Sequence, residues 1–417
     1  MKILLCSIGT RGDVEPFLAL GDLLRGQGHQ VYFAFPEQFA SLVPETCPFH
    51  ALSASFLDLI ESSDGKIVMG GKASPLAKLR ALYNLYQRGK SVNQLLVRQQ
   101  YEIIRELQPD MIIHNAKCSY PSLWGMQQQK EVVLMSPVPY FMYYVEGHAH
   151  VGFKGNLGRW LNQLSYRLAN FGMVKTIRDA QKSLPVNHRF SSAEIRASIF
   201  SNTLLYAISP SLFQRPEEWP AHVQVVGYLE KKKEHTGQIE ESLLNFVEQH
   251  QKILLLTFGS MVNQAPEALS RLIYSVLREL EIPTVVNTAA GGLMALDDYL
   301  QNPLFCFVKS VPYDWLLLRM YAVMHHGGSG TTHLGLKYAC PTLIIPHILD
   351  QYSWNALVHQ VGAGPKGIGV SKLNKQKLRK LLKDLMLNAS YKQKAIQLSK
   401  KMERESDHGH MLNLISG

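Results

Sequence analysis

At 417 residues the chain is too long for one typical core and suits two domains of roughly 200 residues. With 46% hydrophobic and 18% charged residues its composition is ordinary for a globular protein, and it contains no run of about 18 apolar residues, which excludes a spanning helix. The formal charge of +10 admits nucleic acid, a membrane surface or an anionic small molecule as partner, but the signatures of nucleic-acid modules are absent.

The opening MKILLCSIGT lacks the apolar core and cleavage site of a signal peptide and reads as a strand, Lys2 to Ile8, running into a turn at Gly9 to Gly12. Phe17 to Leu24 has helical spacing and stops at Gly26 and Gly28, and Gln30 to Ala34 is the next strand, so the chain opens as a βαβ unit of a parallel sheet. No GxGxxG occupies the first turn, so the ordinary dinucleotide fingerprint fails there. Asp110 to His114, Val132 to Met135, Leu204 to Ile208 and Gln224 to Gly227 read as further strands, with long helical regions at Leu76 to Leu107 and Leu157 to Leu184. Such insertions usually shape a substrate cleft. The charged run Glu230 to Gln238 marks the linker. A second βαβ series follows: a strand at Ile253 to Phe258, a turn at Gly259 and Ser260, a helix at Glu267 to Leu280, and strands at Pro283 to Asn287, Leu304 to Val308, Ala322 to Met324 and Thr342 to Ile345. The Lys-rich tail from Lys375 to Ile415 is helical in pattern.

Five cysteines, Cys6, Cys47, Cys118, Cys306 and Cys340, are scattered through apolar runs. That argues against a disulfide framework and a zinc site and fits a reducing cytoplasm. Basic residues without nearby acids gather at Lys72, Lys78, Arg80, Arg88, Lys90 and Arg98, and again at Arg159, Arg167, Lys175, Arg178 and Lys182. Both stretches carry Leu, Tyr and Trp at helical spacing, which suits either a solvated basic face or peripheral docking on an anionic membrane.

The second half centres on VMHHGGSGTTHLGLKYACPTLIIPHILDQYSW, where a strand enters a loop with Gly327, Gly328 and Gly330 and continues as a helix. Backbone N–H groups at such a helix start lack partners and sit at its positive end, so an anion is the expected occupant. His325 or His326, Ser329, Thr331 and Thr332 add donors to a phosphate.

The order of His326, Gly328, Gly330, Thr331, Pro341, Pro346, Asp350 and Gln351 resembles the nucleotide-sugar signature of family 1 glycosyltransferases. The string from VPYDW to GAGP and the first turn, SIGTRGDVEPFLALG, look most like the sterol glucosyltransferase and bacterial natural-product branch. This resemblance implies an α/β GT-B fold of two Rossmann-like doubly wound domains facing a central cleft. The implied division is an acceptor-binding domain at 1–229, a linker at 230–245, a nucleotide-sugar domain at 246–390 and a helical tail at 391–417 that crosses back to the first domain. It also implies an inverting transfer of a hexose, glucose from UDP-glucose first, to a hydroxyl of a lipophilic acceptor such as a sterol, polyketide or polyphenol. Asp13 is then the catalytic base; Ser260, Val311, His326, Gly328, Ser329, Gly330, Thr331, Asp350 and Gln351 bind the nucleotide sugar; Arg11, Tyr140 and Phe141 touch the acceptor.

The chemistry supports these assignments residue by residue. Inverting displacement needs one base and no covalent intermediate, although Asp13 would equally cap the helix after it. Asp350 and Gln351 offer both acceptors and donors to vicinal sugar hydroxyls, or cap their own helix. His29, between a helix stop and a strand, is structural. The adjacent Asp297 and Asp298 do not form the DxD arrangement of metal-using sugar transferases, so neither a metal nor a further cofactor is expected. Two departures from the family stand out: Ser310 occupies the place of a base-stacking tryptophan, leaving uracil versus thymine open, and Tyr313–Asp314 stand where the sterol branch has HD. The segment SPVPYFMYY, Ser136 to Tyr144, is either pocket lining or core. A UDP-sugar epimerase on the same fold and a non-catalytic nucleotide-sugar or lipid-binding protein are the competing functions.

Overall fold

The computed structural model describes every residue except 71–73, 186–187, 232–238, 260, 262, 264, 290, 406 and 417. The chain divides into two compact units, one of Met1–Gly65, Ser74–Lys231 and Glu405–Gly417, the other of Lys66–Ala73 and Lys232–Arg404.

The first unit holds β1 (Lys2–Cys6), β2 (Gln30–Pro36), β3 (Phe49–Leu52), β4 (Met111–His114), β5 (Val132–Ser136), β6 (Leu204–Tyr206) and β7 (Val223–Val225), in the spatial order β3-β2-β1-β4-β5-β6-β7. All its pairings are parallel, Leu4 lying between Tyr32 and Ile112. Parallel strands covered on both faces need apolar residues at every position, and ILLC of β1 is fully buried. On one face Ile3, Leu5, Phe33 and Phe35 pack with Phe17, Leu20 and Leu24 of the helix Arg11–Gly26. Met411 and Ile415, from the helix Gly409–Ser416, close the same core. The Glu405 carboxylate fastens this return by accepting from the Ser211 amide at 3.0 Å and the Ser209 hydroxyl at 2.6 Å.

The second unit holds β8 (Leu254–Thr257), β9 (Thr284–Asn287), β10 (Phe305–Val308), β11 (Ala322–His325) and β12 (Thr342–Ile344), again parallel, in the order β10-β9-β8-β11-β12. Successive residues of a strand face opposite sides. Leu254 and Leu256 accordingly enter one cluster with Val286 and Met324, while Leu255 enters another with Val285 and Val323.

Four stretches differ from the sequence reading. β3 was not expected; it is a four-residue edge strand whose pattern, FHAL with His50 half-buried, is too short for a period to show. The expected turn at Gly9 to Gly12 is shorter, because the helix starts at Arg11 with Thr10 as its N-cap and Asp13 closing a capping box. The expected linker, 230–245, runs into the helix Glu241–Gln249, which buries Leu243 and Phe246 against the second sheet. Within the expected tail, Ala389–Arg404 is a helix grouped with the second unit, and only Glu405–Gly417 is grouped with the first.

Candidate active site

Ligands of open parallel sheets sit beyond the carboxyl ends of the strands, where the strand order reverses. In the first unit that point lies between β1 and β4. The turn after β1 is pinned by Asn115, just past β4: its side-chain amide donates to Ser7 Oγ at 2.9 Å and to the Ile8 carbonyl at 2.7 Å. Asp13 stands on the first turn of the helix above. Its Oδ2 accepts from the Thr10 amide at 2.8 Å, and its Oδ1 pairs with Lys117 Nζ at 2.6 Å. A carboxylate has about four lone-pair positions; Thr10 and Lys117 leave Oδ1 able to take one more hydrogen bond. Capping and proton acceptance are therefore compatible in one side chain. Gly9, at φ +135°, makes the arrangement possible: a Cβ there would lie 2.2 Å from Asp13 Oδ2 and 2.7 Å from Lys117 Nζ. Arg11 is exposed and turned to Glu15, 2.8 Å away.

One residue from Lys117 a cavity of about 200 Å³ opens, lined by Ala116, Phe141, His150, Asn170, Met173 and Ile177 among others. The segment SPVPYFMYY alternates between the two roles considered for it. Phe141 faces the cavity, whereas Tyr140 and Met142 are buried. Tyr140, expected at the acceptor, is 3% exposed, does not line the cavity, and stacks on His148 at 4.3 Å with φ +54°. The left-handed backbone at Tyr140 turns the chain there, so that Tyr140 and Phe141 face opposite ways. Burial pushes the His150 imidazole down to about 4, so the cavity wall is uncharged.

In the second unit the reversal lies between β8 and β11. Beyond β11 come His325, His326 and the loop into the helix Ser329–Lys337. The ring of His326 is wedged between two glycines: a Cβ on Gly328 would lie 2.7 Å from its Nε2, and one on Gly259 2.9 Å from its Cε1. Only glycine permits both approaches. Burial, with His325 and His347 beside it, drives the His326 imidazole well below its ordinary value, so the ring is neutral. Burial also pushes His325 to about 3 and His347 to about 4. His325 Nδ1 accepts from the Gly327 amide, and His347 Nδ1 donates to the Ile345 carbonyl at 2.9 Å. Nδ1 of His326 and Nε2 of His325 and His347 are buried without a hydrogen-bond partner. Buried polar atoms are normally satisfied, so three unpartnered imidazole nitrogens beside a helix N-terminus make this the candidate place for a polar ligand.

Other expected contacts sort themselves around this point. Gly328 is the N-cap of the helix, and Ser329, Gly330 and Thr331 form its first turn. Thr332 is fully buried and donates to the Gly328 carbonyl at 2.8 Å, so its hydroxyl is spent inside the helix rather than offered to a phosphate. Gln351 is 4% exposed, and its Oε1 accepts from the His347 and Ile348 amides at 2.7 and 3.1 Å. The capping role thus takes its carbonyl oxygen, and only its amide, 3.3 Å from Met261 Sδ, has donor capacity to give a sugar. Asp350 sits one residue earlier on the same helix, Leu349–Gln360, half-buried. Val311 packs on the second core beside Tyr313. The Tyr313 hydroxyl donates to Thr257 Oγ1 at 3.1 Å, tying the loop after β10 to the end of β8. Ser260 and Lys72 lie outside the described residues. Asp298 pairs with Arg271, and among the described residues no three His, Cys, Asp or Glu side chains converge as a metal set. Lys117, Asn115, His150 and His347 were not singled out by sequence. His347 follows Pro346 in a plain apolar run, and only the pairing of β11 with β12 brings it to His326.

Two parallel doubly wound units, each with its turns at the point of strand reversal, are the GT-B architecture, which solved glycosyltransferases share. The kitacinnamycin glycosyltransferase structure matches with a TM-score of 0.70 at 16% identity, covering 99% of this chain and 97% of that one. CalG4, the calicheamicin glycosyltransferase, matches with 0.70 at 13% identity over 100% and 98%. A Streptomyces glycosyltransferase complexed with thymidine diphosphate gives 0.64 at 17% identity over 100% and 99%. Residues 3–124 match the glycosyltransferase family 28 N-terminal domain, and residues 299–408 match the C-terminal domain of erythromycin biosynthesis protein CIII-like proteins.

Within that class the chain is a homologue of the sterol 3-beta-glucosyltransferases. It is 27% and 29% identical to two from Arabidopsis thaliana, over 97% of this chain and 63% and 66% of theirs. It is 26% identical to one from Kluyveromyces lactis, over 98% of this chain and 34% of that one. The chain therefore spans about two thirds of the plant relatives and about a third of the yeast one.

Proposed function

We propose that this protein is an inverting UDP-glycosyltransferase that moves a hexose, glucose in the first instance, from a nucleoside diphosphate to a hydroxyl of a lipophilic acceptor. The observation that carries the reading is the neutral His326 wedged between Gly259 and Gly328 at the N-terminus of Ser329–Lys337. Amide donors and an uncharged imidazole N–H, buried and preorganised, suit the charge that builds on a departing diphosphate. The acceptor occupies the cavity beside Phe141, whose apolar lining suits a sterol, polyketide or polyphenol. Asp13 takes the proton of the acceptor hydroxyl; that oxygen attacks the anomeric carbon from the face opposite the diphosphate, and the carbon–oxygen bond to phosphate breaks with its electron pair leaving on the diphosphate. Asp350 and the Gln351 amide hold sugar hydroxyls. No metal or further cofactor enters this scheme.

The names of the sterol glucosyltransferase homologues favour a sterol and glucose, and the thymidine diphosphate bound by the Streptomyces structure makes TDP-sugars the alternative donor to test. Incubation with UDP-glucose or TDP-glucose and a panel of sterols, polyketides and polyphenols, read by mass, tests the reading. A gain of one hexose on an acceptor is expected; release of an altered sugar, or tight binding of donor without turnover, would replace it.

A further inference from the structure

Four polar side chains line the cavity beside Lys117, and two of them are already spent on the protein. The His150 ring accepts from the Gly152 amide at 3.0 Å and also meets the Phe141 backbone. The Thr176 hydroxyl donates to the Gly172 carbonyl at 2.9 Å within its own helix. The other two, Ser119 and Asn170, are 3% and 7% exposed and keep hydrogen-bonding capacity.

Asn170 stands on the helix Arg159–Ala180, and its amide nitrogen donates to the Met142 carbonyl at 3.0 Å. A carbonyl can only accept, so this bond fixes which way the amide lies and leaves Oδ1 at its other end. No described residue donates to that oxygen. Ser119 is the N-cap of the helix Tyr120–Gln128, the position where a serine ordinarily accepts from the amides of its own helix. Its hydroxyl makes no capping bond and meets no hydrogen-bond partner among the described residues. Unlike the enclosed nitrogens of His325 and His347, neither oxygen is sealed in; each opens on the cavity that its residue lines.

An unspent carbonyl and an unspent hydroxyl on one small cavity set a condition on what fills it. A reacting hydroxyl has a single proton, which in the proposed reaction goes to Asp13, so it has none to give Asn170 Oδ1. A ligand that covers Asn170 with hydrocarbon leaves a dehydrated carbonyl without a donor, and sites of this kind reject analogues that lack the matching group. Size points the same way: about 200 Å³ lies below the roughly 300–1,000 Å³ of pockets that take drug-sized ligands. A compact ring system fits there, whereas a sterol does not fit whole.

We infer that the acceptor is a compact polyhydroxylated aromatic whose second hydroxyl donates to Asn170 Oδ1, with Ser119 as donor to a further oxygen of the same ligand, rather than a sterol with one hydroxyl. That the occupant is a sugar acceptor rests on the proposed function; the preference of the cavity for a second hydroxyl does not.

Calorimetry on the intact chain in the absence of donor, comparing naphthol, dihydroxynaphthalene and cholesterol carried in cyclodextrin, reads this preference apart from transfer. Dihydroxynaphthalene is expected to bind at least about tenfold tighter than naphthol, and cholesterol more weakly than either. Asn170→Leu, close in volume and without the carbonyl, should bring the two naphthalene ligands within about twofold of each other while UDP affinity is unchanged. Ser119→Ala, which keeps the bond from Asn170 to Met142, should narrow the preference. Equal binding of naphthol and dihydroxynaphthalene by the intact chain, tighter binding of cholesterol, or a preference unchanged in both variants overturns the inference. A preference that persists without hexose transfer to either ligand when UDP-glucose is added would remove the proposed function and leave the selectivity of the cavity standing.

Discussion

The two points of strand reversal share a topology and differ in chemistry. At the first, between β1 and β4, a partly exposed carboxylate and an ammonium, Asp13 and Lys117, face each other at 2.6 Å. At the second, between β8 and β11, three buried imidazoles and a helix start meet without a formal charge. The difference suits the two halves of a displacement. A base that takes and returns a proton must exchange with solvent, whereas a site that stabilises leaving charge works best dry and preorganised.

The largest expected effect is at the charged site. Asp13→Asn keeps the size of the side chain and removes the proposed base, so turnover with donor and acceptor should fall by roughly 10²- to 10⁴-fold. UDP affinity by calorimetry should not move, and near-normal turnover would take Asp13 out of the mechanism. At the uncharged site His326→Ala removes one donor to a charged group, about 1.5–3 kcal/mol, so UDP affinity should drop at least tenfold. An unchanged dissociation constant would break the comparison from the other side.

Acid should also tell the units apart. Burial lowers the folded pKa of His347 and His333 to about 4 and of His325 to about 3, against 6.5 for the free side chain. The unfolded chain then takes up protons first as pH falls, so stability is lost from about pH 6.5 downward, at up to about 1.4 kcal/mol per pH unit for each histidine. The second unit holds these three and His326, which burial drives well below its ordinary value, while the first holds His114 and His150 at about 4 and His29, His50 and His148, which burial lowers less. Hydrogen exchange at pH 5 should therefore open β8 and β11 before β1 and β4; the reverse order would contradict this account. The smallest effect is expected of Lys117→Met. The pair is partly solvated, so its loss should cost no more than about 1 kcal/mol of stability in denaturant titration, with turnover changed by less than Asp13→Asn changes it.

The stretches that repeat a local rule were legible in sequence. Parallel strands buried on both faces announce themselves as ILLC, MIIH or LLLT, and the helix at Pro75–Leu107 as a long periodic run. Edge elements were not: β3 is four residues long and carries a histidine. Glycine was read as a turn at Gly12, where a capping box had already begun the helix.

Order along the chain thus determined by itself the α/β class, the glycine-rich turn with His326 and the carboxylate of the first turn, because each depends on residues a few positions apart. Only the tertiary structure decided what those groups face. Lys117 meets Asp13 across 104 positions, His347 reaches His326 through the pairing of neighbouring strands, and Phe141 turns to the cavity while Tyr140 turns to the core. Those juxtapositions come from sheet order and close packing, which no local spacing encodes.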